Sequence, residues 1–442
     1  MGKPLKKVFI KTFGCQMNVY DSGRMADIMA GLGYGKTDNP EDADVIIINT
    51  CHIREKASDK VFSEVGRYVP LKKQNPNLII VVAGCVVQAF ADEFLARAKG
   101  VDIALGPQCY HLLGQKLREV GKQRGIRVVE ADFPLESKFD SLPEHTDCAA
   151  VSFLAIQEGC DRFCSYCVVP YTRGAEYSRP FADVMAEARD MVAKGAREIV
   201  LLGQNVNAWH GEDEEGKPSS LDKLIYALAK IEGLDRIRFV TSYPSDMTDE
   251  LIEAFGKEPK LMPYLHLPIQ SGSDKVLKAM NRRYTVQEYN KIIEKLRAVR
   301  PDIAISSDFI VGFAGEDEND FNNTLKLVDK VKFASSFSFK YSPRAGTVGA
   351  AMRGQVPEDV KGARLIVLQA KLQEHQLSFN QACLGREMEV LIEGKGNKAG
   401  EFVGHSPYMQ TVVVPSEEDI VGRIVKVKIT KAALNNLVGE AV

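Results

Sequence analysis

Between residues 150 and 341 the sequence repeats one pattern about six times: a short apolar run, a polar or glycine-bearing stretch, then an amphipathic helical stretch. The apolar runs are Ser152–Gln157, Glu198–Leu202, Ile237–Thr241, Tyr264–Pro268, Ile303–Ile310 and Ser336–Tyr341. Helical patterns follow most of them, for example Ala182–Lys194, Leu221–Ile231 and Val286–Val299. Parallel strands need a long crossover between them, and a helix is the usual one. Six units fall short of a complete eight-fold barrel, so the expected core is a partial (β/α)6 barrel. The stretches after the strands, GQN at 203–205, YPSD at 243–246, QSGS at 270–273, GFAGE at 312–316 and SPRAGT at 342–347, would ring its mouth. Barrel active sites are built from such loops.

Two further regions flank this core. Before it, Val8–Lys11, Val45–Asn49 and Leu78–Ala83 read as buried parallel strands, with helical patterns around Ser22–Leu32 and Lys56–Lys73. A short strand at Val101–Leu105 and a basic helix near His111–Arg124 complete an α/β domain over 1–124. Residues 125–147 show charges, prolines and no period, and read as a linker. The core then spans 148–377 and closes on a helix at Val360–Leu377. From 378 to 442, short runs at Met388–Ile392, Phe402–Gly404, Met409–Val414 and Ile424–Ile429 predict a small all-β barrel.

Bulk charge excludes little. With 57 basic and 59 acidic residues the net charge is −2, so a nucleic-acid partner would need a local basic patch. Residues 1–18 lack the apolar stretch of a secretory leader, and Lys6 breaks the myristoylation pattern. The run Leu78–Ala91 is too short and too interrupted to span a bilayer. A cytoplasmic monomer is expected, in which nine cysteines call for a metal reading rather than disulfides.

Cys160, Cys164 and Cys167, in GCDRFCSYC, follow the first strand of the core with the spacing Cys-x3-Cys-x2-Cys. Three thiolates can hold three irons of a [4Fe–4S] cluster and leave the fourth open. The amino and carboxylate groups of a methionine moiety can chelate that iron, and an electron can then cleave the sulfonium to a 5′-deoxyadenosyl radical. A closed zinc site would need a fourth ligand, and no histidine lies close in sequence. Cys15, Cys51 and Cys85 are 36 and 34 residues apart, and each falls just past a predicted strand. The carboxyl ends of adjacent parallel strands open onto one crevice, so three thiolates could converge there. The alternative is three independent buried cysteines, as Cys109, Cys148 and Cys383 are read to be.

With its trio and Tyr166 before the last cysteine, the sequence resembles the radical S-adenosylmethionine superfamily. The stretches TFGCQMN, NTCHIREKA, GCDRFCSYCVVPYTRG, LLGQNVN and HLPIQSGS make it similar, over nearly the whole chain, to the methylthiotransferase family within it. That resemblance implies a second [4Fe–4S] cluster on Cys15, Cys51 and Cys85, carrying the sulfur to be transferred. It implies S-adenosylmethionine contacts at Gln204, Asn205, Gln270 and Ser271, and a C-terminal RNA-binding barrel of the TRAM kind. The motifs resemble family members acting on tRNA, so the implied substrate is N6-isopentenyladenosine in an anticodon stem-loop. The implied product is its 2-methylthio derivative, made at the cost of two S-adenosylmethionine molecules. A flavodoxin or ferredoxin would supply electrons.

The alternatives are a ribosomal protein or threonylcarbamoyladenosine as substrate, or a zinc-stabilised RNA-binding protein without catalysis. Arg282, Arg283, Arg344 and Arg353 are candidate RNA contacts, Trp209 a candidate for base stacking, His52 reads as a supporting or satisfied residue beside Cys51, and His266 as core or cavity wall. Tyr243 stands where the family usually has His, and Ala314 where it has Pro.

Overall fold

Buried β-branched strands dictate the first part of the chain. The computed structural model describes residues 6–52, 55–123, 125–134, 137–213 and 215–442, without the side chains of 55–59 and 92. In order come β1 (Lys6–Thr12), α1 (Gln16–Gly31), β2 (Tyr34–Lys36), β3 (Val45–Asn49), α2 (Glu55–Tyr68) and β4 (Ile79–Ala83). Next are α3 (Cys85–Phe90), α4 (Phe94–Arg97), β5 (Ile103–Leu105), α5 (Leu113–Lys122) and β6 (Val128–Glu130). The strands form one parallel sheet in the order β2-β1-β3-β4-β5-β6. Every residue of β3, VIIIN, is buried, as a strand covered on both faces requires. One face packs Ile46, Ile48, Ile80 and Val82 against Val61 and Val65 of α2. The other packs Ile47 and Val81 against Met25, Met29 and Leu113 of α1 and α5.

The segment 125–147, without period in sequence, does more than link. It supplies β6, paired parallel to β5, and the buried Lys138. A three-residue strand is too short to register as a periodic signal. Arg124, the expected end of the basic helix, and residues 1–5 of the N-terminal reading lie outside the described residues.

Two compact units result. The first comprises 1–146 with 158–161 and 168–176; the second comprises 147–157, 162–167 and 177–442. The chain continues through β7 (Val151–Ala155), β8 (Gln157–Glu158), α6 (Val169–Arg173), β9 (Tyr177–Ser178), α7 (Phe181–Ala193), β10 (Glu198–Leu202) and α8 (Leu221–Leu228). Then come β11 (Arg236–Phe239), α9 (Asp249–Lys257), β12 (Tyr264–His266), α10 (Asp274–Ala279), α11 (Val286–Val299) and β13 (Ala304–Val311). The core closes with α12 (Glu318–Val331), β14 (Ser335–Lys340), α13 (Val348–Ala351) and α14 (Glu358–Gln381).

The six expected core strands are all present and all parallel. Their hydrogen bonds divide them into two three-stranded sheets, β11-β10-β7 and β12-β13-β14, joined by a bridge between Ile237 and Leu261. Ile199, Leu201, Ile237, Phe239, Ile305 and Phe309 pack outward onto the helices in one core. Trp209 belongs to that core, and its Nε1 donates to the Arg179 carbonyl at 3.1 Å, so it is packing rather than a base-stacking platform.

The C-terminal part is a closed barrel of β15 (Glu387–Lys395), β16 (Glu401–His405), β17 (Thr411–Pro415), β18 (Ile424–Ala432) and β19 (Leu437–Ala441), in the order β15-β16-β17-β19-β18. Strand β19 has no clear sequence signal because Gly439 interrupts it. A Cβ there would lie 2.7 Å from the Lys428 carbonyl oxygen, so the close strand approach excludes a side chain. Closure leaves no open sheet edge. Within the second unit, β11 reaches this barrel directly. Arg236 donates to the Glu389 and His405 carbonyls, and Arg238 to those of Ser406 and Pro407, at 2.8–3.0 Å. Glu198 accepts from Arg238 at 2.7 Å and offsets part of the buried charge.

Candidate metal centres

The N-terminal trio sits where three neighbouring strands end. In the register of the sheet Thr12 pairs with Asn49, and Asn49 with Ala83. Cys15, Cys51 and Cys85 therefore follow matched positions on β1, β3 and β4. Cys15 opens α1, where its N–H donates to Asn18 Oδ1 at 3.4 Å, and Cys85 opens α3. The turns are tight. Gly14 has φ +130°, and a Cβ on it would lie 2.6 Å from the Cys51 Cβ. Gly84 has φ +101°, and a Cβ on it would meet the Thr50 carbonyl and lie 2.6 Å from Asn49 Oδ1. Only glycine fits either position.

Cys15 hydrogen-bonds with Cys51 and lies close enough to Cys85 for its charge to act there. A side-chain hydrogen bond with Cys51 draws the Cys15 thiol down to about 6. Burial pushes the Cys85 thiol up, and Arg173 opposes that shift by charge and by a hydrogen bond. Burial works against the charge of Arg173, yet Cys85, Asp21, Glu158 and Cys15 together hold its guanidinium well above its ordinary value. Arg173 pairs with Asp21 at 3.0 Å and Glu158 at 2.5 Å, and Lys138 pairs with the same two at 3.4 and 2.6 Å. These four side chains are at most 4% exposed. Arg173, six residues after the last cysteine of the radical motif, is thus a neighbour of the N-terminal trio within the first unit.

The radical motif is anchored on both sides. In the first unit the Cys160 N–H donates to the Gly174 carbonyl at 3.2 Å. In the second, the N–H of Cys167 donates to the Cys164 carbonyl at 2.9 Å, making a tight turn. Ser165 is strapped to the turn after α10: its N–H donates to the Met280 carbonyl and its hydroxyl to that of Ala279. Arg282, expected among the candidate RNA contacts, is instead buried, and its Nη1 donates to Cys164 Sγ at 3.7 Å. Its guanidinium lies 4.4 Å from the Tyr243 ring and 5.0 Å from that of Tyr284. Tyr166 is half-buried with Arg282, Cys164 and Cys167 around it, and lost solvation holds its hydroxyl protonated. Arg283 and Arg353 are exposed, and Arg344 is half-buried.

Among the described residues, no three His, Cys, Asp or Glu side chains close on one point as a single metal ion demands. A four-iron cage makes a different demand, since each thiolate takes its own iron.

The expected S-adenosylmethionine residues lie on strand-end loops. Gln157 Oε1 accepts from the N–H groups of Gln204 and Asn205, both at 2.9 Å, tying the ends of β7 and β10 together. Asn205 Nδ2 donates to Asp246 at 2.9 Å, and Asp246 also pairs with Arg162. Gln270 has φ +76° and bridges β13: its N–H donates to the Asp308 carbonyl, and its own carbonyl accepts from Ile310. Ser271 is turned inward, where its Oγ accepts from the Ser273 N–H at 3.2 Å. Three buried atoms of this region, Gln157 Nε2, Asn205 Oδ1 and Ser242 Oγ, have no hydrogen-bond partner among the described residues. Such orphans mark a place for a polar ligand. Asp246 and Arg173 escaped the sequence reading, and Arg282 was read as an RNA contact, because nothing in a linear charge pattern distinguishes a buried ion from a surface one; Gln157 carries no charge or motif to mark it.

Comparison with known proteins gives the same division. Residues 7–106 match the uncharacterized protein family UPF0004, 154–328 the Radical SAM superfamily, and 381–442 the TRAM domain. The tRNA-2-methylthio-N(6)-dimethylallyladenosine synthase of Paracoccus denitrificans (strain Pd 1222) is 54% identical over 437 residues, 98% of this chain and 97% of its own. Among solved structures, the radical S-adenosylmethionine methyltransferase TsrM from Kitasatospora setae superposes with a TM-score of 0.58 at 12% identity, covering 78% of this chain and 74% of that one. The cobalamin-dependent S-adenosylmethionine radical enzyme OxsB gives 0.52 at 11%, covering 84% and 56%. At that identity the two structures share the fold alone.

The fold, the three matched regions and the relative define a radical S-adenosylmethionine methylthiotransferase, an enzyme using S-adenosylmethionine and a [4Fe–4S] cluster. More closely, the chain belongs to the tRNA-2-methylthio-N(6)-dimethylallyladenosine synthase family. Among the described residues no helix is long and apolar enough to cross a membrane.

Proposed function

We propose that this enzyme places a methylthio group on C2 of N6-isopentenyladenosine beside the anticodon of tRNA, and that its two cysteine trios hold two [4Fe–4S] clusters. The observation that carries the reading is the gathering of Cys15, Cys51 and Cys85 at three adjacent strand ends around Arg173. Cleavage of S-adenosylmethionine needs only one cluster, so a second thiolate trio calls for a second task, and delivery of sulfur is that task.

The clusters supply the electron for sulfonium cleavage and a site for the transferred sulfur; the chain's own residues do the rest. Cys160, Cys164 and Cys167 would hold one cluster, and three thiolates on four irons would leave one iron open to S-adenosylmethionine. Hydrogen bonding from Arg282 to the Cys164 sulfur would stabilise negative charge there and raise the reduction potential of a cluster held by that thiolate. Gln157, Asn205 and Ser242 present unsatisfied polar atoms to the cofactor, and Asp246 orients Asn205. Gln270, held by β13, completes that wall. Arg173 places positive charge beside the N-terminal trio, where anionic sulfur would gather. Enclosure keeps water from a carbon radical. RNA is met by the C-terminal barrel and by exposed bases such as Arg283 and Arg353; the target base leaves its stack at a cost of a few kcal/mol. An electron donor of the flavodoxin or ferredoxin kind completes the system, and the protein acts as a cytoplasmic monomer.

The test is nucleoside mass spectrometry of tRNA from a strain lacking the gene. Loss of the 2-methylthio-isopentenyl nucleoside with accumulation of its isopentenyl precursor is expected. An unchanged nucleoside profile rejects the substrate.

A further inference from the structure

Strand β14 turns its apolar side away from the core. Its sequence, SSFSFK, alternates serine and phenylalanine. The register pairs Phe337 with Asp308 and Phe339 with Ile310, while Ser336 and Ser338 pair with Ser307 and Phe309. Phe309 lies in the core under the helices, so the serines share the helix-facing side and both phenylalanines share the opposite one. A half-buried strand ordinarily does the reverse. Phe337 is 52% exposed and Phe339 37%. They stand on the edge strand of β12-β13-β14, where exposed apolar residues are ordinarily avoided.

Beside Ile310, this face carries the polar groups of Ser306, His266 and Asp308. The His266 ring meets Phe337 edge-on at 6.2 Å, and His266 lies 3.0 Å from Ser306 Oγ and 3.5 Å from the Asp308 carboxylate. The face adjoins the cofactor loop, because Gln270 is hydrogen-bonded through its backbone to Asp308 and Ile310 at 2.9 and 3.0 Å.

We propose that Phe337 and Phe339 seat the dimethylallyl chain of the substrate adenosine, and that Asp308 turns away N6 substituents bearing a carboxylate. This rests on the function proposed above and sets its specificity. A five-carbon branched chain needs an apolar wall within reach of the reacting base, and aromatic rings supply one rigidly. A threonylcarbamoyl group would bring its own carboxylate against Asp308, whose charge repels it.

The experiment uses the anaerobically reconstituted full chain and three anticodon stem-loops of one sequence. Their target adenosine is N6-dimethylallylated, unmodified or N6-threonylcarbamoylated. The wild type is expected to prefer the prenylated stem-loop over the unmodified one, mainly through KM. Phe337→Ser should cut that preference by about tenfold, as loss of an apolar contact does, with Phe337→Leu retaining most of it. Asp308→Asn should raise binding of the threonylcarbamoyl stem-loop relative to the unmodified one. A prenyl preference unchanged in Phe337→Ser, measured both as a KM ratio and as a ratio of Kd values, overturns the assignment. A wild type that methylthiolates none of the three overturns the function itself, and the two failures are thereby distinguished.

Discussion

Replacing Arg173 by Met should destabilise the first unit more than any comparable change at a charged residue of its surface. The guanidinium is one of two cations neutralising Asp21 and Glu158, and all four side chains are at most 4% exposed. Without it the two carboxylates share Lys138 alone. Removing one partner of a buried ion pair costs about 3–5 kcal/mol, because the remaining charge stays desolvated. For a unit of this size each kcal/mol lowers the melting temperature by about 2–4 °C, so a fall of roughly 6–20 °C follows. Anaerobic scanning calorimetry of cluster-free protein reads it directly. Arg173→Lys keeps the charge and loses the fork, and should fall between wild type and Met. Adding Glu158→Gln to Arg173→Met removes the uncompensated carboxylate and should restore part of the loss. A shift below about 2 °C, or a double variant less stable than either single one, would refute the view that this network is a balanced buried unit.

Gly84→Ala should cost about 1–3 kcal/mol, from the positive φ and the collision with the Thr50 carbonyl. It should also reduce the iron bound by the N-terminal trio and spare that of the radical motif, as iron analysis will show. Cluster-free protein should show rapid alkylation of Cys15. Its value of about 6 lies below the ordinary thiol range, so the reactive thiolate predominates above that pH, whereas burial pushes Cys109 up to about 11 and keeps it inert at neutrality. Mass-spectrometric labelling across pH 5–9 tests this, and a Cys15 that labels only above about pH 8 contradicts it. Arg282→Met removes a hydrogen bond to the Cys164 sulfur and should make the potential of that cluster more negative, measured by EPR-monitored redox titration.

The elements most legible in sequence were those whose burial is uniform. VIIIN of β3 and EIVLL of β10, each apolar at four of five positions, announce central parallel strands, and each proves fully buried. The cysteines were legible because strand ends are, and parallel register brings positions two or three residues past matched strand ends near one another. What stayed hidden depended on contacts distant in sequence. Arg282 looks like a surface base in NRRY until α10 and the turn after it bury it against Cys164. Arg173 lies 152 residues from its partner Asp21. Strands β6 and β19 are short, and their partners rather than their own composition hold them in place.

The central claim is that each trio of thiolates holds its own cluster with one iron left open. Iron and sulfide analysis with Mössbauer spectroscopy on anaerobically reconstituted protein tests it most directly. Wild type should carry about eight irons in two four-iron cubes, and the variant with Cys15, Cys51 and Cys85 all changed to Ala about four, still able to form 5′-deoxyadenosine. An iron content that does not fall in that variant, or a single cluster in the wild type, would contradict the account.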